Sequence, residues 1–166
     1  MAESKIFLSW DEIEELSIRL ARKIQAAGIE YDVFLGIARG GVFPAGFLAQ
    51  VFEKSLSLTT HLRRYDLGST DSNNEPRILS FPLDQEFRNK RVLVIDEVWD
   101  RGDSIIRAEQ EVNQFEPLFV HTAVLHYKPE RNRYPLRKPT YFVEMANAWL
   151  VYPWETFADR VNDSEQ

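Results

Sequence analysis

Apolar positions change rhythm along the chain, and each change marks an element. Ile13, Leu16, Leu20 and Ile24 recur at helical intervals, and Ser9 stands three residues before Glu12, the spacing of a capping box. A helix is predicted from there to the stop supplied by Gly28. The charges between its apolar positions (Glu14, Glu15, Arg19, Arg22, Lys23) read as a solvated face. Residues 33–37 form an apolar run too short for a helix and rich in strand formers. That run leads through Arg39-Gly40-Gly41 into a helical stretch from about 43 to 52, where Pro44 is tolerable in the first turn. Leu56, Leu58 and Thr60 alternate as in a half-buried strand, and from about 64 to 77 the chain is polar and aperiodic. A polar stretch of that length inside a compact domain is usually mobile or functional.

The rhythm then repeats. Residues 92–95 are a second buried strand, running into Asp96-Glu97 and a glycine-bearing turn, then into a helix carrying Ile105, Ile106, Ala108 and Val112. A strand over 119–125, a basic proline-interrupted loop over 131–138, and short strands over 141–143 and 149–152 complete the reading. Strands alternating with helices, with continuous rather than alternating apolar strands, predict an α/β fold with a parallel-rich central sheet and a few antiparallel additions at the end.

Composition narrows this without redirecting it. The chain has 166 residues, and at roughly 150 per domain that argues for one domain over 1–166. Apolar residues at 44% exclude a disordered chain, and the absence of cysteine excludes disulfide frameworks, thiolate zinc sites and cysteine nucleophiles. Acidic residues outnumber basic ones 26 to 20, so the net charge of −6 gives no bulk attraction to nucleic acid or anionic membrane. No apolar run reaches the roughly 18 residues of a membrane span, and the acidic N-terminus is unlike a signal peptide; a soluble, cytoplasmic domain is expected. The basic 131–138 loop reads as solvated surface rather than a nucleic-acid patch, and His61, His121 and His126 lack metal-ligand spacing and read as structural.

Two segments share one design: buried strand, tight glycine-bearing loop, helix N-terminus. Such a junction offers unpaired backbone N–H groups and a positive dipole end, which suits a phosphate. The first adds Arg39, a fork of donors; the second adds Asp96 and Glu97, which can accept from a ribose diol or hold Mg²⁺ through water. Together they suggest a ligand with two phosphate groups joined by a sugar. There is no Gly-Lys-Ser/Thr and no Gly-x-Gly-x-x-Gly.

The segment Val92-Leu93-Val94-Ile95-Asp96-Glu97-Val98-Trp99-Asp100-Arg101-Gly102-Asp103-Ser104 resembles the phosphoribosyl pyrophosphate signature of type I phosphoribosyltransferases, and Ala38-Arg39-Gly40-Gly41 resembles their pyrophosphate loop. Leu8-Ser9-Trp10-Asp11, Arg64-Tyr65-Asp66, Lys128-Pro129 and the run Trp149 to Glu155 narrow the likeness to the purine enzymes of the xanthine-guanine type, over about residues 7 to 156. The resemblance implies the type I phosphoribosyltransferase fold, with a core of about 7–130 and a small hood of short strands over about 131–156. It implies Mg²⁺-dependent transfer of phosphoribosyl from phosphoribosyl pyrophosphate to guanine, hypoxanthine or xanthine, in purine salvage. A homodimer or homotetramer is implied as well, with small-molecule substrates and neither nucleic acid nor membrane as partner.

Roles follow residue by residue from that resemblance. Ala38, Arg39, Gly40 and Gly41 bind pyrophosphate, with the Ala38–Arg39 peptide cis; Asp96 and Glu97 contact the ribose hydroxyls and the Mg²⁺ shell. Asp100 is the general base facing the purine imidazole nitrogen, and Arg101, Gly102, Asp103 and Ser104 form the 5′-phosphate loop. Lys128 donates to the purine 6-oxo group, Trp149 stacks on the base, and the Leu150 backbone meets the purine edge. Tyr65 and Asp66 begin a loop that closes over substrate and excludes water. Plainer readings stand beside these: Asp100 as a turn or cap residue, Lys128 as a snorkelling surface lysine, Trp149 as core, Trp154 as packing.

Two departures bear on function. The order Asp96-Glu97 replaces the commoner Asp-Asp or Glu-Asp, and glutamate reaches one methylene further. The 5′-phosphate loop reads Asp-Arg-Gly-Asp-Ser where Asp-Thr-Gly-x-Thr is usual, so Asp103 adds a carboxylate to an anion site. Two unit charges about 4 Å apart repel by about 4 kcal/mol at an effective dielectric of about 20, or about three decades of affinity, unless the side chain points away or is paired. A non-catalytic nucleotide-binding sensor or regulator on the same scaffold is therefore the alternative.

Overall fold

In the computed structural model, which describes residues 4–53, 56–63, 76–157 and 160–161, the two buried apolar runs lie side by side as β2 (Val33–Ala38) and β5 (Arg91–Trp99). Their alternate residues feed two cores. Phe34, Leu93 and Ile95 face one side, against α1 (Trp10–Ala26) and α2 (Val42–Val51). Val33, Leu35, Ile37, Val92 and Val94 face the other, against α3 (Asp103–Asn113). Burial on both faces explains why these strands read as unbroken apolar runs, each large side chain contributing about 1.5–3 kcal/mol.

The main sheet has six strands in the order β4-β3-β2-β5-β6-β7, with β3 (Ser57–Arg63), β4 (Arg77–Ser80), β6 (Phe119–Tyr127) and β7 (Tyr141–Met145). Only the β3–β4 pair among them is antiparallel. A second, two-stranded parallel sheet pairs β1 (Lys5–Phe7) with β8 (Trp149–Val151), Lys5 opposite Trp149. The antiparallel additions expected at the C-terminal end are thus corrected: β7 runs parallel to β6, and β8 joins the chain start. The intervening residues 128–140 supply the long return that a parallel neighbour requires.

Helix α1 carries the capping box, with the Glu12 amide donating to Ser9 Oγ at 3.2 Å and the Ser9 amide to Glu12 Oε2 at 2.7 Å. Gly28 takes φ +67° just beyond its end. Strand β5 is longer than its apolar run: it passes through Asp96 and Glu97 to Trp99, because β6 stays in register to Trp99 opposite Tyr127 and the indole is fully buried. The acid pair therefore lies within the strand rather than in the turn after it. The strand order reverses between β2 and β5, so the loops leaving both strands open onto one crevice.

Candidate functional site

The first loop is shaped by backbone. After β2 the Ala38–Arg39 peptide is cis, and the Gly41 amide donates to the Ile37 carbonyl at 2.9 Å as α2 begins. A Cβ on Gly41 would stand 2.7 Å from the carbonyl oxygens of Ile37 and Ile95, and one on Gly40 would meet the Glu97 carboxylate at 2.3–2.4 Å. Only glycine lets β5 and its glutamate approach this closely. The loop borders a cleft of about 810 Å³ that Arg39, His61, Arg63, Glu97 and Glu155 also line. One wall is aromatic: Trp154 stacks on Phe43 at 4.3 Å and on Tyr152 at 4.8 Å. Trp154 thus packs as expected and also lines the cleft, while His61, read as structural, opens onto it.

The second loop is shaped by side chains. Gly102 takes φ +90°, and a Cβ there would lie 2.6 Å from the Trp99 indole nitrogen. Asp96, Glu97, Asp100, Arg101, Asp103 and Ser104 surround a smaller cleft of about 180 Å³. Asp100 Oδ1 accepts from Arg131 Nε at 2.6 Å. The Asp103 side chain, 10% exposed, accepts from the Tyr134 hydroxyl at 3.2 Å and lies 3.6 Å from Arg133 Nη1. These cationic and phenolic partners come from the basic 131–138 loop, so that segment is a strap over the site and not simply solvated surface.

Between the loops the electrostatics are strained. Asp96 is buried, with Oδ1 accepting from the Glu97 amide at 2.9 Å; burial, then the charge of Glu97, hold its carboxyl well above the usual carboxylate range. Glu97 Oε2 is buried without a hydrogen-bond partner among the described residues. Glu155 is raised too, by burial and then by Glu97. An orphaned carboxylate oxygen beside a second buried carboxylate fits a hydroxyl donor or a hard cation. No group of three or more His, Cys, Asp or Glu suited to a metal occurs among the described residues, so a cation here would complete its shell with water and ligand oxygens.

A third group lies beside the second cleft. The Lys128 amide donates to the Trp99 carbonyl at 2.9 Å, next to Asp100, and its ammonium stands 5.8 Å from the centre of the Trp149 ring. Lys128 is 4% exposed and Trp149 45%, the reverse of a surface lysine and a core tryptophan. Leu150 is buried and pairs with Ile6. Buried His126 shares a 2.9 Å hydrogen bond with Tyr152 Oη, whose hydroxyl also lies 3.2 Å from the Glu97 carbonyl; burial lowers the imidazole pKa to about 4. His121 is likewise held, 2.7 Å from the Tyr31 hydroxyl, so these two histidines are the structural groups expected. Tyr65 and Asp66 lie outside the described residues. Arg131, Arg133 and Tyr134 carry no individual signal in the sequence beyond the run of positive charge in 131–138, and Glu155 enters there only as the end of the Trp149 to Glu155 run.

Comparison with known proteins adds to this geometry. The phosphoribosyl transferase domain model matches residues 5–162. A xanthine-guanine phosphoribosyltransferase of Desulfotalea psychrophila is 30% identical over 154 residues, 90% of this chain and 85% of that protein. Among solved structures, a purine phosphoribosyltransferase from Pyrococcus horikoshii Ot3 superposes with a TM-score of 0.77 at 28% identity, covering 92% of this chain and 95% of the other. A Neisseria gonorrhoeae protein solved with bound ppGpp gives 0.80 at 26% identity, covering 100% and 99%.

Proposed function

The chain belongs to the phosphoribosyl transferase domain family, and on that premise we propose that it is a salvage enzyme transferring phosphoribosyl from phosphoribosyl pyrophosphate to a 6-oxopurine (guanine, hypoxanthine or xanthine). The observation that carries this reading is the pairing of buried Lys128 with exposed Trp149 beside Asp100. A buried ammonium is a donor held for an acceptor, and the open indole face is a platform for a flat ring. The 6-oxo group accepts from Lys128 where the adenine amino group cannot.

Displacement at the ribose anomeric carbon asks the protein to steady a leaving pyrophosphate, grip the sugar and accept one base proton. Arg39 and the Ala38–Gly41 backbone take the pyrophosphate, while Asp96 and the orphaned Glu97 oxygen take ribose hydroxyls. Asp100 accepts the proton from the purine, its carboxylate oriented by Arg131. Arg101 to Ser104 hold the 5′-phosphate at the N-terminus of α3. Asp96 and Glu97 would hold magnesium, which when bound would supply positive charge against the leaving pyrophosphate. Tyr65 and Asp66 start the closing loop, and a homodimer or homotetramer in the cytoplasm is the expected setting.

A second reading is favoured by Asp103 in the phosphate loop and by the ppGpp found with the Neisseria relative. On it, the chain binds guanosine nucleotides as a regulator and turns nothing over. One experiment separates the two: the protein with Mg²⁺, phosphoribosyl pyrophosphate and each of guanine, hypoxanthine, xanthine and adenine, followed for nucleotide formation. Turnover of 6-oxopurines that Asp100→Asn abolishes supports the enzyme. No turnover with any base, alongside saturable nucleotide binding, sinks it in favour of the regulator.

A further inference from the structure

Asp96, Glu97, Asp100 and Asp103 all line the small second cleft, with Arg101 as the one cation among the described residues of its lining, a balance of charge that opposes phosphate. The strap after β6 meets two of these carboxylates, Asp100 and Asp103. Its course is pinned by backbone and amide bonds: the Arg133 amide donates to the Arg101 carbonyl at 3.1 Å, and Asn132 Oδ1 accepts from the buried Trp99 indole at 3.0 Å. Asn132 Nδ2 donates in turn to the carbonyls of Tyr134 at 3.1 Å and Arg137 at 2.7 Å, closing the strap on itself. So held, Arg131 meets Asp100 at 2.6 Å, and Arg133 and the Tyr134 hydroxyl meet Asp103 at 3.6 and 3.2 Å. With its side chain 10% exposed, Asp103 is poorly screened by water, and its neighbours set its effect.

We propose that Arg133, assisted by Tyr134, is the counter-charge that lets the Asp100–Ser104 loop hold a phosphate monoester despite Asp103. The proposal rests on the reading of this loop as the 5′-phosphate site. Arg133 is a positioning residue: it acts by drawing the Asp103 carboxylate toward the strap and offsetting its charge. Its loss leaves the carboxylate to oppose the ligand, and loss of both groups removes the opposition with its remedy. A merely structural Arg133 behaves differently, because damage to the strap is not repaired by a second substitution across the contact.

The test is calorimetric titration of the full chain with guanosine 5′-monophosphate and with guanosine, whose difference reports the phosphate alone. Arg133→Ala is expected to weaken the monophosphate about tenfold while leaving guanosine unchanged. Asp103→Asn should bind the monophosphate at least as well as the natural protein, and the Asp103→Asn/Arg133→Ala pair should fall within about twofold of Asp103→Asn. Arg133→Ala binding like the natural protein, or a double variant as weak as Arg133→Ala, overturns the proposal. Should Arg133→Ala not fold, Arg133→Gln replaces it in the same cycle. A natural protein that binds guanosine and its monophosphate equally overturns instead the reading of the loop as a phosphate site, and the proposal with it.

Discussion

At the junction between β2 and α2, close approach is a matter of missing atoms: Gly40 and Gly41 leave no room for a Cβ against Glu97 and the β2 and β5 backbones. At the junction between β5 and α3, it is a matter of added ones, with Asp100 and Asp103 each gripped by a strap about thirty residues downstream. The first design is rigid and intolerant, since a carbonyl in a sheet cannot step aside. The second is adjustable, because charge can be rebalanced by a partner elsewhere in the chain. Of the two departures from the resembled signature, Asp-Arg-Gly-Asp-Ser falls in the adjustable loop, while the longer Glu97 carboxylate of Asp96-Glu97 lies against Gly40 of the first.

Substitutions can break this contrast or sharpen it. Asp100→Asn is expected to cost about 10²–10⁴ in kcat with the fold intact, read by steady-state kinetics beside a melting curve. His126→Gln probes the support behind both loops. Its imidazole is held near pKa 4 when folded, against about 6.5 unfolded, so the unfolded chain takes up a proton first and stability falls with acidification. The natural protein should therefore lose about 3 kcal/mol between about pH 7 and about pH 4 that the variant keeps, measured by urea denaturation. Gly41→Ala should lose about 2–3 kcal/mol of stability, because the added methyl meets backbone of both strands. The closest atoms to a Cβ in Gly40→Ala are at the movable end of Glu97, so about 1 kcal/mol is expected, with ligand binding impaired out of proportion. Equal stability losses at Gly40 and Gly41 would break the distinction drawn between them.

What was legible in the sequence had a local cause. The Ser9–Glu12 box, the Gly28 stop and the doubly buried β2 and β5 follow from neighbouring residues, and the structure has them. Strands β1 and β4 were not foreseen: Lys5–Phe7 is three exposed residues ordered by β8, and Arg77–Ser80 lies mostly exposed on the edge of β3. The extension of β5 to Trp99 depends on β6, which no pattern within 96–99 reveals. Likewise the pairing of Asp100 and Asp103 with Arg131 and Arg133 spans a helix and a strand, and a basic loop read alone shows nothing of its acidic partners.

The unequal lengths of β2 and β5 carry one more consequence. Gly36 is level with Ile95, so Ala38, where β2 ends, is level with Glu97, while β5 continues by Val98 and Trp99. At about 3.3 Å per residue the second loop starts about 7 Å further out than the first, like the upper of two stairs. The wider cleft, about 810 Å³, opens at the lower stair and the narrower, about 180 Å³, at the upper. A ligand with unlike anionic ends meets a site with a slope and a direction. On the proposed reading, the bulky pyrophosphate end settles low and the single phosphate high, and a molecule entering reversed would set its larger group in the smaller space.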